Sequence, residues 1–212
     1  MSGRDLLCVL AHDHRVARHI RAELCETRLA LLAAARGDVL EAGARNGANL
    51  QHYGTGITSL TVTEWQLALF RRLAHRSARI VPNVVALRAP VEDLPFNDAS
   101  FDTVVSTFAL CRADDQPRAV REIHRVLRPD GALIFLEHAS DAPPTAAQLD
   151  GRSPLRWRLA GCDPTRPTAA SLRKGGFALS DFRTIGPGRI RLGTVCIAGV
   201  ARPIAGRRYA TV

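Results

Sequence analysis

Two acids and two glycines stand at a spacing that can hold a nucleotide. In EAGARNGANLQHYG, residues 41–54, Glu41 leads into a turn carrying Gly43 and Gly47, and Glu64 follows about 20 residues further on. A glycine turn between a strand and a helix lets the chain pass tightly under a ligand, which backbone N–H groups and the helix N-terminus then face. An acid at the end of the next strand can accept both hydroxyls of a ribose. Glycines needed only for packing would make the same turn but would not call for Glu64. Arg45 is the residue out of keeping. It fills the middle of the turn, where a positive φ costs a side chain on the order of 1 kcal/mol.

These residues need strands and helices to position them, and the hydrophobic pattern supplies both. Apolar residues at helical spacing over 16–35 predict an amphipathic helix ahead of the first strand. Strands are expected at DVLEAG, SLTVTE, VVALRAP, FDTVVSTFAL and ALIFLEHA. Helices are expected at NGANLQHY, WQLALFRRLAHR and DDQPRAVREIHRVLRP, the last closed by proline and glycine. This alternation implies an α/β, doubly wound, Rossmann-like parallel sheet with right-handed crossovers. Residues 140–168 are rich in Pro, Gly and Asp and read as an irregular insertion. A short helix AASLRKGGF and two strands around GPGR follow, placing an antiparallel strand last in a seven-stranded sheet, before a loose tail GRRYATV.

At 212 residues and 46% hydrophobic, the chain suits one domain with a sizeable core. It has no run of about 18 apolar residues, so no membrane span is expected, and the first residues lack the form of a signal peptide. The 5 cysteines are scattered without a CxxC pair, which argues against a disulfide framework and against a metal site. A reducing, cytoplasmic setting is the expectation. The net charge of +9 comes from dispersed arginines with few aromatics among them, and Lys174 is the only lysine. That pattern disfavours nucleic acid and leaves a mildly basic surface open to anionic substrates or peripheral contact with lipid headgroups.

The order EAGARNGANLQHY, TVTEW, PVEDLPFNDASFDTVVSTFALC and AVREIHRVLRPDGALIFLEHA resembles the class I S-adenosylmethionine (SAM)-dependent methyltransferases. It is most similar to the type-11 branch, which includes quinone-biosynthesis and thiol methyltransferase-like enzymes. The resemblance spans residues 37–139 and continues weakly through RWRLAGCDPTRPTAASLRKGGF. It implies SAM as cofactor and transfer of its methyl group to a small, partly hydrophobic thiol, phenol, quinone or amine. By position, Glu41, Gly43, Ala44, Gly47 and Asn49 would surround the methionine end. Glu64 and Trp65 would meet the ribose, Val91 and Glu92 the adenine, and Thr107 and Phe108 the sulfonium and amino group. The implied layout is a single domain: an N-terminal helical cap over 1–36, a SAM-binding core over 37–139, a substrate-side insertion over 140–168, and a C-terminal helix and hairpin over 169–205. A monomer or homodimer fits such an enzyme.

A thiol or phenol acceptor must lose a proton, so a nearby base helps. His138, at the carboxyl edge of the sheet where ligands bind, is the first candidate, with His14 and His12 on the N-terminal segment behind it. Cys111 and Cys162 read as buried small residues. Two other classes compete: a SAM-fold protein repurposed or weakened through Arg45, and a nicotinamide-dependent oxidoreductase. The second lacks a Tyr-x-x-x-Lys pair.

Overall fold

A computed structural model describes residues 25–80, 84–139, 161–163, 166–185 and 196–205. The expectations for His12 and His14, for most of the 140–168 insertion and for the final tail lie outside these residues.

The described residues begin with α1 (Cys25–Leu32) and enter β1 (Gly37–Ala42), β2 (Ile57–Thr63), α2 (Leu67–Ile80), β3 (Val84–Leu87) and β4 (Phe101–Thr107). Then follow α3 (Gln116–Val126), β5 (Leu127–His138), α4 (Thr168–Lys174), β6 (Phe177–Ile185) and β7 (Cys196–Pro203). The seven strands form one sheet in the order β3-β2-β1-β4-β5-β7-β6. β7 runs antiparallel to both of its neighbours, and the pairs among β1 to β5 are parallel, as the alternation predicts. Both faces are covered, so neighbouring strand residues serve opposite cores. Leu40, Val104, Leu133 and Phe135 pack with Val120 and Ile123 of α3 and Leu172 of α4. Val39, Val105 and Ile134 pack with Leu32 of α1 and Leu73 of α2.

Two elements differ most from expectation, and the strands expected at VVALRAP and FDTVVSTFAL end early, at Leu87 and Thr107. NGANLQHY is not a helix; only Leu50–His52 coil, as a single 3-10 turn. Gly and Asn are poor helix formers, and the Asn49 amide and Tyr53 hydroxyl are drawn inward to Glu41 instead. The other difference is β5, which begins at Leu127, before the expected ALIFLEHA, and ends α3 early. Arg128 precedes Pro129 and is therefore extended. From there its guanidinium binds Asp38 and Asp102 at the amino end of the sheet. Asp102 also accepts from the Asp38 N–H at 2.7 Å, which is a sheet-end tie rather than chemistry.

Candidate functional site

The turn after β1 is built by left-handed residues. Gly43 and Gly47 have φ of 70° and 72°, and Arg45 between them has φ of 54°. Each glycine is also fixed by its own packing. A Cβ on Gly43 would lie 2.8 Å from the Ala109 Cβ, and one on Gly47 would lie 2.5 Å from Leu50. The turn is pinned to β2, since Ala44 N–H donates to the Thr63 carbonyl at 2.7 Å, and it closes on itself through Gly47 N–H, which donates to the Ala44 carbonyl at 2.9 Å. Arg45 has no such excuse: it bears the cost of a side chain at positive φ.

Beneath this turn Glu41 is buried. Its Oε1 accepts from the Asn49 amide at 3.0 Å and its Oε2 from the Tyr53 hydroxyl at 2.8 Å. Asn49 also donates to Thr107 Oγ1 at 3.0 Å, so Glu41, Asn49 and Thr107 join β1, the turn and β4. Burial lifts the Glu41 carboxyl to about 7, against the opposing pull of Tyr53, Arg28 and Asn49. The folded chain therefore holds a proton that the unfolded chain has lost between pH 4.5 and about 7. This contribution to stability is full below the lower value and is lost as pH rises through the upper one. Urea unfolding is expected to show a loss of about 1 kcal/mol between pH 6 and pH 8, absent in Glu41→Gln. An identical loss in that variant would assign the slope to another group.

Above the turn an open cleft of about 840 Å³ lies at the carboxyl edge of the sheet. Gly43, Arg45, Glu64, Trp65, Val91, Glu92 and Phe108 line it, with the β4-loop residues Ala109, Arg112 and Asp114 and the distant Gly161. Glu64, just past β2, is buried and its Oε1 accepts from the Gln66 N–H at 2.8 Å. Burial raises its pKa, while the Gln66 N–H and the Arg45 charge hold it back. Glu92 Oε1 accepts from the Asp114 N–H at 2.6 Å, tying the loop after β3 to the loop after β4. Trp65 is half exposed at the rim, and its carbonyl accepts from Arg88 Nε at 2.9 Å.

The wall carried by Phe108 hangs on a second buried acid. Glu137 Oε1 accepts from Ser106 Oγ at 2.8 Å, Ala109 N–H at 2.9 Å and Leu110 N–H at 3.1 Å, and its Oε2 accepts from Cys111 N–H at 3.0 Å. Phe108 itself sits at φ of 53° and packs against His138, the rings tilted by 45° with centroids 4.5 Å apart. His138 Nδ1 is turned towards the thiols of Cys162 (3.0 Å) and Cys111 (3.5 Å).

Of the residues expected at a ligand, Gly43, Glu64, Trp65, Val91, Glu92 and Phe108 meet in the cleft. Glu41, Ala44, Gly47, Asn49 and Thr107 are not among its lining; they build the turn from below. His138 stands behind Phe108. Sequence reasoning missed Gln66, Ala89, Pro90 and Ala109, while Arg112, Ala113 and Asp114 lie in the 111–116 loop expected beside the acceptor. The loops after β3 and β4 could have been carried whole, because both end strands at the carboxyl edge.

Comparison with known proteins agrees with this geometry. A family model described as a methyltransferase domain matches residues 40–135. A thiol S-methyltransferase of Rattus norvegicus is 32% identical over 148 residues, covering 66% of this chain and 59% of that protein. The chain thus spans less than two thirds of that relative's length. A ubiquinone/menaquinone biosynthesis C-methyltransferase of Idiomarina loihiensis is 35% identical over 74 residues, 35% of this chain and 30% of its own. Among solved structures, an S-adenosylmethionine-dependent methyltransferase from Mesorhizobium loti superposes with a TM-score of 0.63 at 19% identity. That superposition covers 84% of this chain and 96% of the other, and it shows a common fold.

Proposed function

We propose that this chain moves the methyl group of SAM to a small, partly hydrophobic acceptor, a reading supported by the methyltransferase-domain model that matches residues 40–135. The observation that carries this reading is the buried Glu64 opening into the same cleft as the glycine turn. The residues present suit the ligand. Gly43 leaves a backbone surface where a side chain would not fit, Val91 and Ala89 offer an apolar wall for adenine, and Glu64 can accept ribose hydroxyls. Three acids, Glu64, Glu92 and Asp114, face two arginines, Arg45 and Arg112, which favours a ligand with a cationic centre. When bound, SAM supplies a methyl group on a good leaving group, displaced in line by the acceptor.

What the chain contributes is position and dryness, a combination worth several kcal/mol. Phe108 walls the reacting end, and the Glu137 carboxylate holds that wall still. For an acceptor that must lose a proton no base is assigned, since His138, the candidate from the sequence, is buried behind Phe108 with its Nδ1 facing the Cys111 and Cys162 thiols. The acceptor class proposed is a thiol, phenol or quinone, or amine. The test is incubation of the full chain with SAM labelled in its methyl group and a panel of such acceptors. Labelled product from one class supports the reading; label retained in SAM with every class contradicts it.

A repurposed SAM-fold protein is the second reading, and one observation favours it: Arg45 intrudes on the cleft at positive φ. In the first reading its guanidinium clamps the methionine carboxylate. Arg45→Gly is then expected to weaken SAM binding several-fold by calorimetry. Tighter binding in that variant would mark the arginine as an obstruction to an inherited site.

A further inference from the structure

Cys111, His138 and Cys162 are far apart in sequence but converge in the fold, and the proposed methyl transfer needs neither thiol. Cys111 Sγ and Cys162 Sγ are 3.0 Å apart, and their ligating atoms and His138 Nδ1 all lie within 4.8 Å of one another. All three residues are buried. We propose that these residues form a three-ligand site for a thiophilic divalent cation of the zinc class.

Three observations carry this site. The donor set is two sulfurs and an imidazole nitrogen, which suits zinc and disfavours magnesium and calcium, whose ligands are oxygen. Two thiolates would neutralise a divalent charge, a balance that matters where Phe108, Leu136 and Ala198 make an apolar surround. The size is close to what a metal needs. Tetrahedral zinc with bonds of about 2.3 Å to sulfur and 2.0–2.1 Å to nitrogen sets its ligands roughly 3.5–3.8 Å apart. The present separations of 3.0 Å and 3.5 Å are at that span or under about 1 Å short of it.

The framework behind the ligands is also fixed, as outer partners of metal sites are. Cys111 N–H donates to Glu137, and the Cys111 carbonyl accepts from the Asp163 N–H at 2.8 Å, which locks the Cys162 loop beside it. The His138 carbonyl accepts from Thr168 Oγ1 at 3.1 Å. Linear spacing gave no hint of this, since no pair of cysteines lies close in sequence. Three protein ligands leave a fourth tetrahedral position, and Phe108 and Gly161 border the cluster on the cleft side. A cation there would occupy His138 Nδ1 and so remove that nitrogen from any base role.

The test uses the full chain, reduced and stripped with a chelator, titrated without oxygen with cobalt(II) as a spectroscopic probe for zinc. The expected result is a sulfur-to-cobalt charge-transfer band that saturates at one equivalent and is bleached by zinc. Cys162→Ser and His138→Ala are each expected to weaken binding at least about 100-fold, more than an outer-shell partner would. Cys196→Ser, which removes the neighbouring buried cysteine, is expected to leave the band intact. No charge-transfer band in the unaltered chain overturns the proposal, as does a band that survives loss of Cys162 or follows Cys196. Circular dichroism on each variant separates lost ligation from lost folding, and the unaltered chain decides the matter if a variant does not fold. Methyl transfer is not the readout, so failure here leaves the proposed function standing.

Discussion

Glu137→Ala is expected to destabilise the chain by about 3–4 kcal/mol, the largest effect of any single change considered for this fold. The carboxylate is buried at the end of β5, and burial raises its pKa despite the donors it collects. Those donors are the Ser106 hydroxyl and the N–H groups of Ala109, Leu110 and Cys111, which begin the 3-10 turn Leu110–Arg112. Alanine leaves three backbone N–H groups buried without an acceptor, and each such group costs about 1–3 kcal/mol before relaxation. The loop can recover part of this by admitting water, which keeps the estimate below the simple sum. Glu137→Gln keeps one acceptor but points an amide at backbone donors, so an intermediate loss is expected. Urea unfolding at neutral pH measures both. A loss under about 1 kcal/mol for alanine would mean that the β4 loop does not depend on this acid.

The second large effect falls on binding. Glu64→Ala is expected to weaken SAM binding by about 2–3 kcal/mol, the scale of hydrogen bonds to a charged acceptor, or roughly 30–150-fold. Glu64 is nearly covered, and its Oε1 already accepts from Gln66, so its orientation is set before a ligand arrives. Its burial raises its pKa, and protonation converts an acceptor into a donor. SAM affinity is therefore also expected to decline as pH falls through that raised value. Unchanged affinity in Glu64→Ala would move the ribose elsewhere in the cleft.

The parts of this molecule that were legible in the sequence are those whose cause is local or periodic. Val39, Leu40, Val104, Val105, Leu133 and Ile134 announce buried strands because a parallel sheet covered on both faces needs apolar residues in succession. Gly43, Gly47 and Glu64 announce the turn and the acid because a tight bend and a strand end leave few alternatives. The helix expected at NGANLQHY failed partly through its weak helix formers and partly for a reason no window reveals: Asn49 and Tyr53 answer to Glu41, which the folded sheet sets beneath them. The thiol cluster was hidden in the same way, for Cys111 and Cys162 meet only when the loop at Gly161 closes onto the end of β4. Phe108 gave no warning of its positive φ, which stands just before the N–H groups that Glu137 gathers from another strand.

Calorimetric titration of the full chain with SAM tests the central claim most directly. Saturable binding of one molecule in the micromolar range, weakened by Glu64→Ala and not matched by NAD(P), is the predicted result. No heat of binding up to millimolar SAM would contradict it.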